Sequence, residues 1–197
     1  MSEFIKSQLS TMEIKISEKQ LGQFEGMLDL LAIWNEKHNL TRLKDRREQE
    51  IYHILDALSA YKYFEDSTVI LDVGTGAGFP GIPLAIMYPE KHFHLVDSNG
   101  KKTAYLKQLS KHIGLTNVSI HHARVETLDI NNIDCITARA VADPQVIMSI
   151  TEKFKVSTYL LYVGPNCPKV VNSTLDKLVV PCSNKQHYLL KIDMLYG

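Results

Sequence analysis

The chain has 197 residues, with 22 basic and 22 acidic side chains that cancel and 45% apolar residues. These values fit one sizeable globular domain, or a domain with an extension, and speak against a non-specific nucleic-acid binder, which is basic, while leaving room for a local basic patch. There is no run of 18 apolar residues to span a membrane and no apolar stretch of signal-peptide type at the start. The three cysteines, Cys135, Cys167 and Cys182, lie too far apart for a disulfide framework or a C-x-x-C metal pair, so the expectation is a cytoplasmic protein with reduced thiols and no metal.

Residues 1 to 64 read as helical. Ser17 with Gln20 three positions later is a capping-box signature, and Leu21, Phe24, Leu28, Leu31 and Trp34 then recur at helical spacing. The stretch NLTRLKD (39–45) interrupts the pattern, and a further helix is predicted from about Arg46 to Phe64 with Ile51, Ile54, Leu55, Leu58 and Tyr61 on one face. From Thr68 the texture changes to short, continuously apolar runs of the buried-strand kind: TVILDV, HFHLVD (92–97), VSIHH (118–122), DCITA (134–138) and STYLLYV (157–163). Between them lie the helical stretches GIPLAIMY, NGKKTAYLKQLSKHIG and DPQVIMSITEKF. Leu106, Leu109 and Ile113 form the stripe of the second, and Gly114 suits a C-terminal cap. This alternation predicts a doubly wound, mostly parallel sheet. KLVVPC and HYLLKIDML are expected to close it as an antiparallel hairpin, and PNCPKVVNS (165–173) is left unassigned. The expected division is a helical extension over 1–66 and an α/β domain over 67–197.

The stretch ILDVGTGAGFPGIP (70–83) places four glycines, Gly74, Gly76, Gly78 and Gly81, directly after the first strand and before a helix. Each glycine costs backbone entropy, so a close approach to this backbone is expected, at the carboxyl ends of the strands where open α/β sheets bind ligands. Loop N–H groups and a helix N-terminus favour an anionic group there. Gly74, Gly76 and Gly78 fit G-x-G-x-G, typical of S-adenosylmethionine sites, and Gly76, Gly78 and Gly81 fit G-x-G-x-x-G, the dinucleotide fingerprint, so the spacing alone does not decide. Both want an acid at the end of the next strand, and Asp97 is in place for a ribose, unless it serves only as a helix cap, which Ser98 or Asn99 could do instead. The 65 or so helical residues before the glycine strand, and Pro80 and Pro83 at the start of its helix, lean away from NAD.

The pieces NLT, HILD, DVGTGAGFPGIPL, LVDSNGK, RVE and RA occur in order between about Asn35 and Ala142. Together they resemble the bacterial small-subunit 16S ribosomal RNA guanine-N7 methyltransferase family, also known as the glucose-inhibited division protein B or methyltransferase G family. The resemblance implies a class I S-adenosylmethionine-dependent methyltransferase with an N-terminal helical extension. It implies methylation of N7 of one guanine of 16S ribosomal RNA in the small subunit. Among the cofactor-binding residues it would include Asp72 and the loop Gly74, Gly76, Gly78 and Phe79, with Gly74 and Phe79 on the methionine and ribose side. Asp97 would hold the ribose, the main chain at Val125 and Glu126 would border the adenine, and Arg139 would reach the edge of the donor site.

Guanine N7 has a lone pair and no proton to lose, so the attack needs no general base, and the work is alignment. In keeping with this, no D/N-P-P-Y/F segment is present. Because N7 faces the deep major groove of an RNA helix, the target should be an unpaired or extruded base. Arg124 and Arg139 are the candidate catalytic residues, able to grip O6 or a phosphate; the plainer alternatives pair Arg124 with Glu126 and Arg139 with Asp143. Arg42, Lys44, Arg46 and Arg47 form a basic cluster that could track phosphates. His53 is expected as a core or capping histidine and Cys182 as a buried structural cysteine. Two cations usual in the family are missing, since Val163 precedes Gly164 and Gln186 precedes His187; Lys169 or Lys185 could replace them. A monomer is expected. The alternatives held open are a nicotinamide-dependent oxidoreductase using the same glycines and a non-catalytic factor docking on the small subunit.

Overall fold

A computed structural model describes residues 2–194. The chain begins with α1 (Ser2–Thr11) and α2 (Glu18–His38). The start of α2 is fixed by the capping box: the Ser17 hydroxyl accepts the Gln20 amide, and the Gln20 side chain accepts the Ser17 amide at 2.9 Å. Asn39, at φ 48°, ends the helix in the left-handed region that asparagine tolerates. The single helix expected from Arg46 to Phe64 is instead a composite. It runs as α3 (Arg46–Gln49), a π-helical stretch (Glu50–Leu55), α4 (Asp56–Leu58) and, after a turn, a 3-10 turn (Tyr61–Phe64). The widened π turn matters later, because it carries Tyr52 and His53 and leads into Asp56.

The strands are β1 (Val69–Val73), β2 (His92–Asp97), β3 (Val118–His122), β4 (Cys135–Arg139), β5 (Thr158–Val163), β6 (Ser173–Leu178) and β7 (His187–Asp193). The helices between them are α5 (Gly81–Met87), α6 (Gly100–His112) and α7 (Pro144–Thr151). They form one sheet in the order β3-β2-β1-β4-β5-β7-β6, with β7 antiparallel to both neighbours and every other pairing parallel. The reversed strand is thus the last in the chain and the second from the edge. The dinucleotide-binding order 3-2-1-4-5-6 has no such insertion.

The C-terminal hairpin is present, but its first strand lies earlier than KLVVPC. Only Lys177 and Leu178 of that stretch belong to β6, which starts at Ser173, within and after the segment left unassigned. Residues 179–186 become the connecting turn, and Cys182, at φ 61°, is exposed in it rather than buried. The apolar run had suggested a strand, yet Val179 is 78% exposed and Pro181 supplies no N–H to a ladder.

Strand alternation divides the core. Ile70, Phe93, Leu95, Cys135, Leu160, Tyr162 and Leu189 face the side covered by α1, α2, α5 and α6, while Leu71, Val96, Ile136, Leu161, Leu190 and Ile192 face the side covered by α7. Phe24, Met27, Leu28 and Leu31 of α2 share the first of these cores with the sheet. Polar ties fix the helices further. Gln23 Nε2 donates to the Ile113 carbonyl at 2.9 Å, and the Tyr162 hydroxyl donates to the Ala57 carbonyl at 2.5 Å. The buried Lys91 ammonium donates to the carbonyls of Phe64, Glu65 and Ser67, each at 2.6 Å.

Candidate active site

The loop after β1 is anchored from beneath by Asp72. This wholly buried carboxylate accepts the Thr75 hydroxyl at 2.6 Å and the Gly81 amide at 2.9 Å on one oxygen. Burial pushes it up to about 7 against the pull of both donors. Gly74 and Gly76 take φ of +63° and +62°, the left-handed turn that throws the chain across the strand ends. Gly81 has a different reason to be glycine: a Cβ there would lie 2.3 Å from Leu95 Cδ2 and 2.7 Å from Asp72 Oδ2. Part of the glycine content therefore serves the packing of α5 on β2 rather than a ligand.

Asp97 ends β2 beside the loop. One carboxylate oxygen accepts the Gly76 amide at 3.0 Å, the other accepts the Asn99 amide at 2.8 Å, and the Lys102 ammonium stands 3.7 Å away. The cap of α6 is Asn99, whose side chain accepts from Lys101 and Lys102, so Asp97 is not consumed as a cap. Gly74, Asp97, Ser98, Arg124, Val125 and Glu126 line a cavity of about 300 Å³ with Val96 and Val141. It combines an acid, a basic rim and an apolar wall, the mix and the size of a small-molecule cleft. A nucleoside cofactor of the S-adenosylmethionine class fits this donor set: a carboxylate for ribose hydroxyls, apolar valines for a base, and a glycine at Gly74, where an added Cβ would lie 2.7 Å from the Val141 side chain.

Asp72, Gly76, Gly78 and Phe79 do not line this cavity. Asp72 and Gly76 shape the loop. Gly78 packs against Ile82 and Leu106. Phe79 is buried with its ring stacked on His53, 4.1 Å between centroids and 8° between planes.

A second cavity, of about 520 Å³, adjoins the first, and Ala140 borders both. Ala140 has φ 54°, a strained conformation for an alanine, placed where β4 delivers the chain between the two spaces. Arg139 lines the larger cavity, as do Val163, Gly164, Tyr162 and His187. Its guanidinium does not pair with Asp143, and its only contact with the glycine loop among the described residues is with the Phe79 ring, whose centroid lies 5.4 Å away. Nη1 donates to Asp56 Oδ2 at 2.6 Å and to the Tyr52 carbonyl at 2.9 Å, and Nη2 reaches His53 Nδ1 at 3.4 Å. Arg124 makes no ion pair with Glu126, so its guanidinium is free of side-chain partners among the described residues.

His53 is buried. Burial and then the Arg139 charge drive it down to about 3, so it is neutral, as expected of a core histidine, with Nε2 2.9 Å from the Thr41 hydroxyl.

Asp56 and His187 escaped selection as site residues. His187 Nδ1 lies 2.7 Å from Asp56 Oδ1. Burial alone would raise the Asp56 carboxyl, but the His187 hydrogen bond and the Arg139 charge outweigh it and hold it below the usual carboxylate range. The one signal in the sequence was the piece HILD, whose acid is Asp56. In the basic cluster, Arg46 pairs with Asp29 and Arg47 with Glu50, so half of it is engaged in the helical layer. Gln186 is exposed just before β7, and Lys185 sits 4.2 Å over the Tyr52 ring.

The family described as GidB, rRNA small subunit methyltransferase G, matches residues 20–174. A protein of Wolinella succinogenes called ribosomal RNA small subunit methyltransferase G is 40% identical over 189 residues, 95% of this chain and 97% of its own. One of the same name from Exiguobacterium is 40% identical over 153 residues, 74% of this chain, and this match spans 64% of the relative. Among solved structures, an S-adenosylmethionine-dependent methyltransferase of Aquifex aeolicus superposes with a TM-score of 0.58 at 17% identity, covering 80% of this chain and 97% of that one. A putative methyltransferase of Escherichia coli gives 0.55 at 9% identity, over 71% and 86%. These place the fold in class I, in agreement with the reversed β7. The glycine loop, the acid of β2 and the arginine of β4 thus stand in a chain matched over most of its length, and this chain belongs to the rRNA small subunit methyltransferase G family.

Proposed function

We propose that the protein transfers the methyl group of S-adenosylmethionine to N7 of one guanine in 16S ribosomal RNA, within the small subunit. It acts as a cytoplasmic monomer without a metal. Among the described residues no helix is long and apolar enough to cross a membrane, and no cluster of metal-ligand side chains is formed. The observation that carries the reading is the pair of cavities meeting at Ala140, one bounded by Asp97 and the other by Arg139.

Asp97 would hold the ribose, Val125 and Glu126 would border the adenine, and Gly74 would admit the methionine side, with Asp72, Gly76, Gly78 and Phe79 setting the shape of the loop. The cofactor, when bound, supplies an activated methyl on a sulfonium. Arg139 orients the base from the larger cavity and Arg124 reaches toward it from the smaller one, and no residue needs to take a proton from N7. Residues 1–66 act as the helical extension and 67–197 as the methyltransferase domain.

The test is incubation with radiolabelled S-adenosylmethionine and small subunits from a strain lacking the modification, followed by cleavage selective for N7-methylguanine. Label at a single guanine is expected. Intact cofactor binding with no label would overturn the reading. Asp97→Ala should weaken S-adenosylhomocysteine by roughly 10- to 100-fold, the size of a lost charged hydrogen bond, by calorimetry.

A further inference from the structure

Asp56 sits at the wall of the larger cavity with both of its oxygens committed. Oδ2 takes the Arg139 Nη1 donor at 2.6 Å, and Oδ1 takes His187 Nδ1 at 2.7 Å. The chain of contacts continues outward. His187 Nε2 lies 2.8 Å from the Ser183 hydroxyl, and that hydroxyl accepts the Lys185 amide at 3.1 Å. With His187 Nδ1 donating to Asp56, the Ser183 hydroxyl can donate to Nε2, and the whole series is satisfied. The 179–186 turn is bound to the π-helical stretch from a second side, where the Tyr52 hydroxyl donates to Asn184 Oδ1 at 2.8 Å.

Arg139 is therefore held by three partners from one side: Asp56, the Tyr52 carbonyl and His53. Its Nε hydrogen and one Nη2 hydrogen have no partner among the described residues, and the side chain borders the cavity. A guanidinium clamped in this way presents fixed donors rather than a swinging charge.

We propose that Asp56 is the positioning and charge-compensating residue of the base-binding cavity, fixing Arg139 and cancelling its charge. This rests on the methyl-transfer reading of the site. The chemistry supplies the reason. When the N7 lone pair forms its bond to the methyl carbon, the carbon–sulfur bond breaks and its electron pair stays on sulfur. The positive charge passes from sulfur to the base, so a neutral guanine becomes a cation. A bare guanidinium at the cavity wall would bind neutral guanine through O6 and then oppose the charge that the reaction creates. Paired with Asp56, Arg139 keeps its donors while the pair itself carries no net charge, and with Asp143 as the other acid bordering the cavity the methylated base meets no net repulsion.

The test compares guanosine with 7-methylguanosine as ligands of the full chain, at mildly acidic pH where the methylated base is cationic, with S-adenosylhomocysteine present. Affinities are read by NMR titration for the wild type, Asp56→Asn, Asp56→Glu and Arg139→Gln. Asp56→Asn should weaken 7-methylguanosine at least tenfold more than guanosine. Arg139→Gln should move the ratio of the two affinities in the opposite direction, and Asp56→Glu should restore part of the wild-type ratio. An unchanged ratio in the variants, with both ligands weakened alike, would mean a merely structural carboxylate and would overturn the proposal. So would failure of either nucleoside to bind the wild type. If Asp56→Asn does not fold, the Arg139→Gln ratio decides alone. The label experiment above separates the two readings: label at one guanine with an unchanged ratio removes only the role of Asp56, whereas no label with cofactor bound removes the methyl-transfer reading.

Discussion

His53, stacked on Phe79, and Asp72, beneath Thr75 and Gly81, are both buried at the glycine loop and respond to pH in opposite senses. His53 stays neutral in the folded chain down to about 3, while its unfolded counterpart protonates near 6.5. Its contribution is complete above 6.5 and is lost as pH falls toward 3. Asp72, raised to about 7, keeps in the fold a proton that the unfolded carboxyl releases near 3.8, so its contribution declines as pH rises from 3.8 to about 7. The two slopes oppose each other between 3.8 and 6.5. His53→Gln should therefore give a chain whose stability, relative to wild type, falls with rising pH across that window, and Asp72→Asn one whose stability rises. Each slope is on the order of 1 kcal/mol per pH unit. Urea midpoints at a series of pH values measure both; slopes of the same sign in the two variants would contradict the assignment. Nothing in the sequence around His53 announces its neutrality, because its causes are burial beneath distant elements and then the guanidinium of Arg139, 86 positions away.

At the scale of elements, two glycines with the same side chain should behave oppositely. Gly22, inside α2, has nothing within 4 Å of an added Cβ, so Gly22→Ala should raise stability by about 1 kcal/mol through helix propensity. Gly81→Ala drives its methyl into Leu95 and Asp72 and should lower stability by about 1–3 kcal/mol, as thermal melts would show. Most elements were legible in the sequence: β2 and β3 fall where the apolar runs put them, and the α2 capping box is the one read from Ser17 and Gln20. The failures have physical causes. KLVVPC looked like a strand by composition, but Val179 is exposed, Pro181 cannot donate to a ladder, and β6 instead runs from Ser173 to Leu178 through the polar Ser173, Thr174 and Asp176, which gave no apolar run to read. The π turn in 50–55 carries no periodicity signal, since the apolar spacing of Ile51, Ile54 and Leu55 suits an α-helix equally well.

The molecule as a whole depends on ties between the helical layer and the sheet. Lys91 shows how close they are: one ammonium at the start of β2 gathers the carbonyls that end the helical layer, at Phe64, Glu65 and Ser67. Lys91→Met keeps the aliphatic stem and strands those three acceptors, so a loss of about 3 kcal/mol is expected in denaturant unfolding. A loss under 1 kcal/mol would mean that water replaces the ammonium there. The same layer puts Asp56 in the wall of the larger cavity and the Tyr52 carbonyl on Arg139, so in the proposed reading it contributes to the chemistry as well as to the core. Of the candidate residues, Gly74, Asp97, Arg124, Val125 and Glu126 gather at one cavity and Arg139 at the other, whereas Phe79 and Asp72 are placed behind the loop.

The sequence by itself determined the class of fold, the loop after β1, the acid at the end of β2 and membership of the family, because these rest on short-range periodicity and on motifs whose spacing is a property of the chain. Only the tertiary structure decided what surrounds Arg139. Asp56 comes to it from 83 positions earlier, and His187 comes to Asp56 from the start of the reversed β7. The partner of a buried charge is chosen by the packing of distant elements, which demand that it be neutralised where they meet, and no local pattern in the chain records which acid that is.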